Sequence, residues 1–243
     1  MKILSIGNSF SQDAQRYLHA LAKHNGTDIK AVNLYIGGCT LRRHYHNMLD
    51  DRPEYDFEFN GEKTGIKVSI KQALVSDDWD YVTLQQASGL SPELESYFPY
   101  LEQLTQHVKK YCPHTKLLIH QTWAYEDGSE KLQNLERFGS SAEMISAVKE
   151  TYAKAATLVS ADGIIPAGET MAKATELGIV RIHRDTYHAS LGVGRYLLAL
   201  CWYKYLTGKS IENDSFNELD VELTPSDREI AIRAVNSVLQ LNR

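Results

Sequence analysis

Positive charge is in short supply in this chain. Its 243 residues carry 26 Lys and Arg against 31 Asp and Glu, a formal net charge of -5. That balance argues against nucleic acid as a partner, because a phosphate-binding surface needs clustered Lys and Arg. Cysteine is scarce too. Cys39, Cys112 and Cys201 are odd in number and far apart, which gives neither a disulfide framework nor metal-ligand spacing. Three buried free thiols and no metal are the expectation. No apolar run reaches the length of a membrane span, so no membrane partner is expected. Lys2 leads straight into an apolar strand and a polar helix, without the order of regions that marks a secretory leader. A cytoplasmic chain is expected, or a periplasmic or secreted one if a leader has been removed. Linkers, internal repeats, low-complexity tracts and heptad seams are missing as well, so one domain over 1–243 is expected, with its oligomeric state left open.

What is present is a regular alternation of apolar runs and apolar stripes. Ile3 to Ile6 suits a buried strand, broken by Gly7-Asn8. Ala14, Tyr17, Leu18, Leu21 and Ala22 keep a 3.6-residue period and predict one helix from Asp13 to His24, closed by Asn25-Gly26. A second strand, Ile29 to Ile36, ends in Gly37-Gly38-Cys39-Thr40. Over 54–70, Tyr55 to Phe59 alternates, Asn60-Gly61 signals a hairpin and Lys67 to Ile70 reads as the return strand, which predicts a small antiparallel insertion. Further strands are predicted at Asp80–Gln85, Lys116–His120 and Gly163–Pro166. Helices are predicted at Ile70–Val75, Pro99–Tyr111, Ala142–Leu158, Ala167–Leu177, Leu191–Leu206 and Pro225–Leu241, and Glu126–Phe138 reads as an irregular surface segment. The economical architecture is α/β: a three-layer α/β/α sandwich on a mostly parallel five-stranded sheet, flavodoxin-like, with right-handed crossovers. It brings Ser9, Gly38, Gln86 and Trp123 to one sheet edge, where open α/β sheets bind ligands.

Ser9 stands on the first strand-to-helix turn. One reading makes it a rigidly held nucleophile; another makes Ser9 or Ser11 a helix cap. A serine hydroxyl needs a base to take its proton, and the base needs an acceptor on its other ring nitrogen. Asp185-Thr186-Tyr187-His188 offers both partners within one turn. Of the nine histidines, His19, His24, His44, His46, His107 and His114 read as solvated, His120 sits at a strand end, and His183 competes with His188 for the Asp185 carboxylate.

These blocks resemble the SGNH hydrolases, or GDSL-type esterases. Gly7-Asn8-Ser9 matches their first block with Asn in place of the usual Asp, and Asp185 and His188 match their last. Gly38 matches by position the glycine whose N–H joins the oxyanion hole. The third block departs: Gln85-Gln86-Ala87-Ser88 stands where Gly-x-Asn-Asp is usual. By analogy with glutamine-bearing branches, the Gln86 amide would be the third donor, with Gln85 the other candidate. The resemblance implies the three-layer sandwich and ester hydrolysis without a cofactor: Ser9 attacks, His188 moves the proton, Asp185 orients the ring, and the N–H groups of Ser9 and Gly38 with Gln86 hold the oxyanion. Asn8, Gln85 and Trp123 are candidates for lining the substrate site, Trp123 either stacking on a sugar or packing beneath a helix. The polar insertions and the lack of an apolar lid favour a short-chain ester on a carbohydrate, acetyl first. The rival within this fold is a catalytically impaired glycan-binding relative. A flavodoxin-like anion cradle at Gly7–Ser11 lacks the lysine of a P-loop and leaves Asp185 and His188 unused.

Overall fold

The computed structural model describes residues 1–241, so the last two residues of the expected domain lie outside it. The elements run β1 (Lys2–Gly7), α1 (Ser9–Gln15), α2 (Leu18–His24), β2 (Lys30–Tyr35), α3 (Leu41–Leu49), β3 (Tyr55–Phe59), β4 (Glu62–Val68), α4 (Ile70–Leu74) and β5 (Tyr81–Leu84). A 3-10 turn at Leu94–Tyr97 follows, then α5 (Tyr100–Tyr111), β6 (Lys116–His120), α6 (Glu130–Gln133), α7 (Ser141–Leu158), β7 (Gly163–Ile165), α8 (Ala167–Glu176), α9 (Val193–Thr207) and α10 (Pro225–Leu241).

The sheet order is β4-β3-β2-β1-β5-β6-β7. The five expected strands, β2, β1, β5, β6 and β7, pair in parallel. Ile3, Leu4, Ile6, Val82, Leu84 and Ile119 are buried, as strands covered on both faces require. The sheet nevertheless has seven strands, not five. The hairpin expected as an insertion extends it, β3 pairing antiparallel with β2 and β4 with β3. An unpaired β2 edge would leave its N–H and C=O groups without partners. The hairpin covers it and adds specific bonds: Asn60 Oδ1 accepts from Ala31 N at 2.9 Å, and Asn33 Nδ2 donates to Glu58 Oε2 at 2.8 Å.

A second difference lies against the same hairpin. The helix expected over Asp13–His24 is two helices, broken at Arg16-Tyr17. Gly61, at φ +85, lies so close to this break that a Cβ on it would sit 2.2 Å from the Arg16 carbonyl oxygen. α9, buried almost all round, packs with α1, α2, α8 and α10, while α3 packs with α4 and α5. The parallel register aligns Gly7 with Tyr35 and Ile6 with Leu84, so the loops after β1, β2, β5 and β6 emerge at one edge.

Candidate active site

The first turn of α1 is built by its neighbours. Asn8 is the N-cap: its side chain accepts from Phe10 N at 3.0 Å, while Ser11 Oγ accepts from Asn8 N at 3.1 Å, a complete capping box. Capping thus falls to Asn8 and Ser11. Ser9 is left at the first helical position, where a backbone N–H has no intrahelical acceptor. Gly7 permits this closeness, since a Cβ there would lie 2.1 Å from Ser11 Oγ. Asn8 Nδ2 donates to Cys39 O at 3.1 Å, tying the turn to the loop after β2. There Gly38 holds φ +62, open space where a Cβ would stand, and an N–H that donates to no described residue.

The Ser9 hydroxyl meets His188 Nε2 at 2.8 Å, although 179 residues separate them. The other ring nitrogen, Nδ1, donates to Asp185 Oδ2 at 2.7 Å, and His188 N donates to Asp185 Oδ1 at 2.8 Å. This tautomer follows from the partners: Nδ1 faces a carboxylate, so Nε2 is the acceptor for the hydroxyl. Burial pushes the Asp185 carboxyl up, but the bonds from the His188 ring and backbone outweigh it and hold it below its ordinary value. The turn that wraps the carboxylate around its histidine places Thr186 at φ +72, an uncommon conformation for a β-branched residue.

The loop carrying this pair is pinned on several sides. Trp123 Nε1 donates to Tyr187 O at 2.7 Å, Glu126 N to Thr186 O at 2.8 Å, and Arg184 N to His188 O at 3.0 Å. Arg184 Nη1 also reaches Asp13 of α1 at 2.9 and 2.8 Å. Phe10 lies between, stacked on Trp123 at 4.1 Å and 5.9 Å from the His188 ring. Ser9 and His188 open onto a cleft of about 640 Å³. Its walls are the loops after β1, β2 and β5, the segment around α6, and Arg184 and Tyr187.

The family profile DUF4886, described as a domain of unknown function, matches residues 2–235. The chain belongs to the DUF4886 family. A crystal structure of a DUF4886 family protein from Bacteroides uniformis superposes with a TM-score of 0.89 at 33% identity, over 100% of this chain and 96% of that one. A Slackia heliotrinireducens protein assigned to the SGNH hydrolases superposes at 0.61 with 24% identity, over 85% and 98%. Axe2, an acetylxylan esterase from Geobacillus stearothermophilus, superposes at 0.53 with 14% identity, over 85% and 94%. The architecture is therefore the SGNH hydrolase fold. A search of curated protein sequences finds no match.

Several expected site residues are placed elsewhere. Gln86 is fully buried and its amide is spent: Oε1 accepts from Leu41 N at 3.0 Å and Ala87 N at 2.9 Å, and Nε2 donates to Ser96 O and Oγ at 3.0 Å. It fastens three loops together instead of facing the cleft. Gln85 is spent too, donating to Asn8 Oδ1 and bonded to His120 Nδ1, each at 2.7 Å. The cleft face of this turn is Ala87, Ser88 and Gly89. Trp123 is fully buried under the His188 loop and is no platform for a sugar. Asn8 borders the cleft but is 1% exposed with its side chain engaged. His44, expected in solvent, is buried at 2.8 Å from Tyr55 Oη, and burial pushes its ring down to about 3. His183 does not compete for Asp185; Nε2 donates to Ala124 O at 3.1 Å, and burial lowers the ring to about 4.

The three cysteines are free and buried. Among the described residues no group of three or more His, Cys, Asp or Glu could hold a metal ion, and no helix is long and apolar enough to cross a membrane. Among the cleft residues that motif matching missed are Tyr125, Lys131, Asn134, Arg184 and Tyr187. Arg184 precedes the Asp185–His188 pair and Tyr187 lies within it; nothing local marked Lys131 or Asn134.

Proposed function

We propose that this protein is a serine esterase that removes a short acyl group, acetyl first, from a carbohydrate ester. The observation that carries the proposal is the unbroken hydrogen-bonded line from Ser9 Oγ through the His188 ring to Asp185 at 2.8 and 2.7 Å. His188 Nε2 takes the hydroxyl proton as Ser9 Oγ bonds to the ester carbonyl carbon, and Asp185 balances the imidazolium. The N–H groups of Ser9 and Gly38 receive the oxyanion, each such donor contributing roughly 3 kcal/mol. Collapse breaks the bond to the alcohol, which leaves with the proton from His188. Water activated by His188 then frees the acid and restores Ser9. The acetylxylan esterase from Geobacillus stearothermophilus lends support for a sugar ester at the level of fold alone.

The engaged amides of Gln85 and Gln86 favour one second reading, a catalytically impaired glycan binder with only two oxyanion donors. A fluorophosphonate probe and acetylated oligosaccharides separate the two. Labelling at Ser9 and acetate release, both lost in Ser9→Ala, are expected of the esterase. The absence of both, with no labelling and no release from any acyl sugar or p-nitrophenyl ester, would overturn it.

A further inference from the structure

The cleft has a charge pattern opposite to that of the whole protein. The chain carries more acidic than basic residues, 31 against 26, yet no Asp or Glu lines the cleft, whereas Lys131 and Arg184 do. Lys131, on α6, has no carboxylate or hydrogen-bond partner among the described residues. Its ammonium stands 4.3 Å from the centroid of Tyr187, whose ring lies 4.0 Å from that of His188. A cation over an aromatic face gains modestly from the ring and keeps its other side for a ligand. Arg184 spends one nitrogen, Nη1, on Asp13 and on the Ala189 carbonyl; Nε and Nη2 donate to no described residue. Two cations therefore border the cleft on the His188 side; Arg184 is already paired with the buried Asp13, and Lys131 is the one with no carboxylate partner among the described residues.

Resting on the esterase reading above, we infer that the substrate is an anionic ester, bearing a carboxylate that Lys131 and Arg184 receive while the ester carbonyl meets Ser9. Arg offers a planar fork suited to a carboxylate and Lys a point charge. The carboxylate can belong to the alcohol, as in an acetylated hexuronic acid, or to the acyl group, as in a sugar hemisuccinate. A neutral acetyl sugar leaves Lys131 without an anionic partner and the free Nε and Nη2 of Arg184 without an acceptor, and is the poorer substrate.

Three esters test this: methyl O-acetyl-galacturonate, methyl galactoside hemisuccinate and the neutral methyl O-acetyl-galactoside. Turnover is measured with the wild type and Lys131→Met, and binding of the intact esters with Ser9→Ala and Ser9→Ala/Lys131→Met by calorimetry. One anionic ester should exceed the neutral one by about fivefold or more, as expected of one charge-assisted contact. That ratio should shrink in the Lys131→Met proteins and at high salt. Whichever anionic ester is preferred identifies the side that carries the charge. Equal or better use of the neutral ester, in turnover and in binding, would overturn the inference, as would a ratio that Lys131→Met leaves unmoved. If the wild type hydrolyses none of the three while Ser9→Ala still prefers an anionic ester through Lys131, the anion site stands and the esterase reading falls.

Discussion

Asp13 is the residue whose loss should reach furthest from fold to site. Its side chain is fully buried, yet it receives Nη1 of Arg184 at 2.9 and 2.8 Å and Nε of Arg195 at 2.9 Å. Arg195 continues to Asp220 at 2.8 Å, and Asp220 to Arg16 at 2.7 Å. Asp13→Asn keeps the shape and removes the charge, stranding the Arg184 guanidinium and leaving Arg195 with Asp220 alone. Breaking a buried pair typically costs about 3–5 kcal/mol. Arg184 and Arg195 retain 27% and 12% of their side-chain exposure, and the water that reaches them sets the expectation near 3 kcal/mol. For a chain of this size that is a fall in Tm of roughly 6–12 °C. Urea unfolding should show a lower midpoint with an unchanged slope. A double-mutant cycle with Arg195→Met should return a coupling of about 1 kcal/mol or more. Because Arg184 N also holds the His188 carbonyl, the loosened loop should lower kcat/KM on acetyl esters by about 10- to 100-fold. A midpoint that moves by less than about 0.5 kcal/mol would refute the claim that this ion cluster anchors the loop.

Two further outcomes follow from the turns and the buried rings. Gly7→Ala places a Cβ 2.1 Å from Ser11 Oγ and should cost about 1–3 kcal/mol, whereas Gly38→Ala meets no neighbour and should cost only the strain of φ +62, about 1 kcal/mol; thermal melts of the two variants compare them, and equal losses would contradict the packing described. His44 and His120 are buried with rings pushed down by burial to about 3, so below the ordinary value of about 6.5 the unfolded chain binds protons that the folded one does not. Their contribution is whole above about pH 6.5 and is lost toward pH 3, at about 1.4 kcal/mol per pH unit for each ring. His44→Leu should flatten the pH dependence of urea stability between about pH 6 and 4 by that amount, and an unchanged slope would count against a neutral buried ring.

The parts of this protein legible in sequence are those decided by near neighbours. The apolar runs at Ile3–Ile6 and Lys116–His120 become strands of the parallel sheet. Asn60-Gly61 turns as its residue types demand, both at positive φ. Asp185 and His188 bond across three residues of one turn. Helix α3 escaped notice because its buried side chains include His44 and Asn47 beside Leu41, so its apolar period is interrupted by polar residues that only packing could hide. Gln86 misled for the opposite reason: a glutamine at a strand end looks free until the loops that claim its amide are in place.

Residue order by itself determined the alternation of strands and helices, the serine turn, the acid–histidine turn and, through the SGNH resemblance, the layered fold. These depend on backbone preference and on hydrophobic period, which act over a few residues. Only the tertiary structure decided that the hairpin joins the sheet, that both glutamine amides are consumed internally, and that Lys131 and Arg184 border a cleft free of acids. Each of those outcomes depends on which distant groups compete for the same hydrogen bond or the same space, and that competition has no counterpart along the chain.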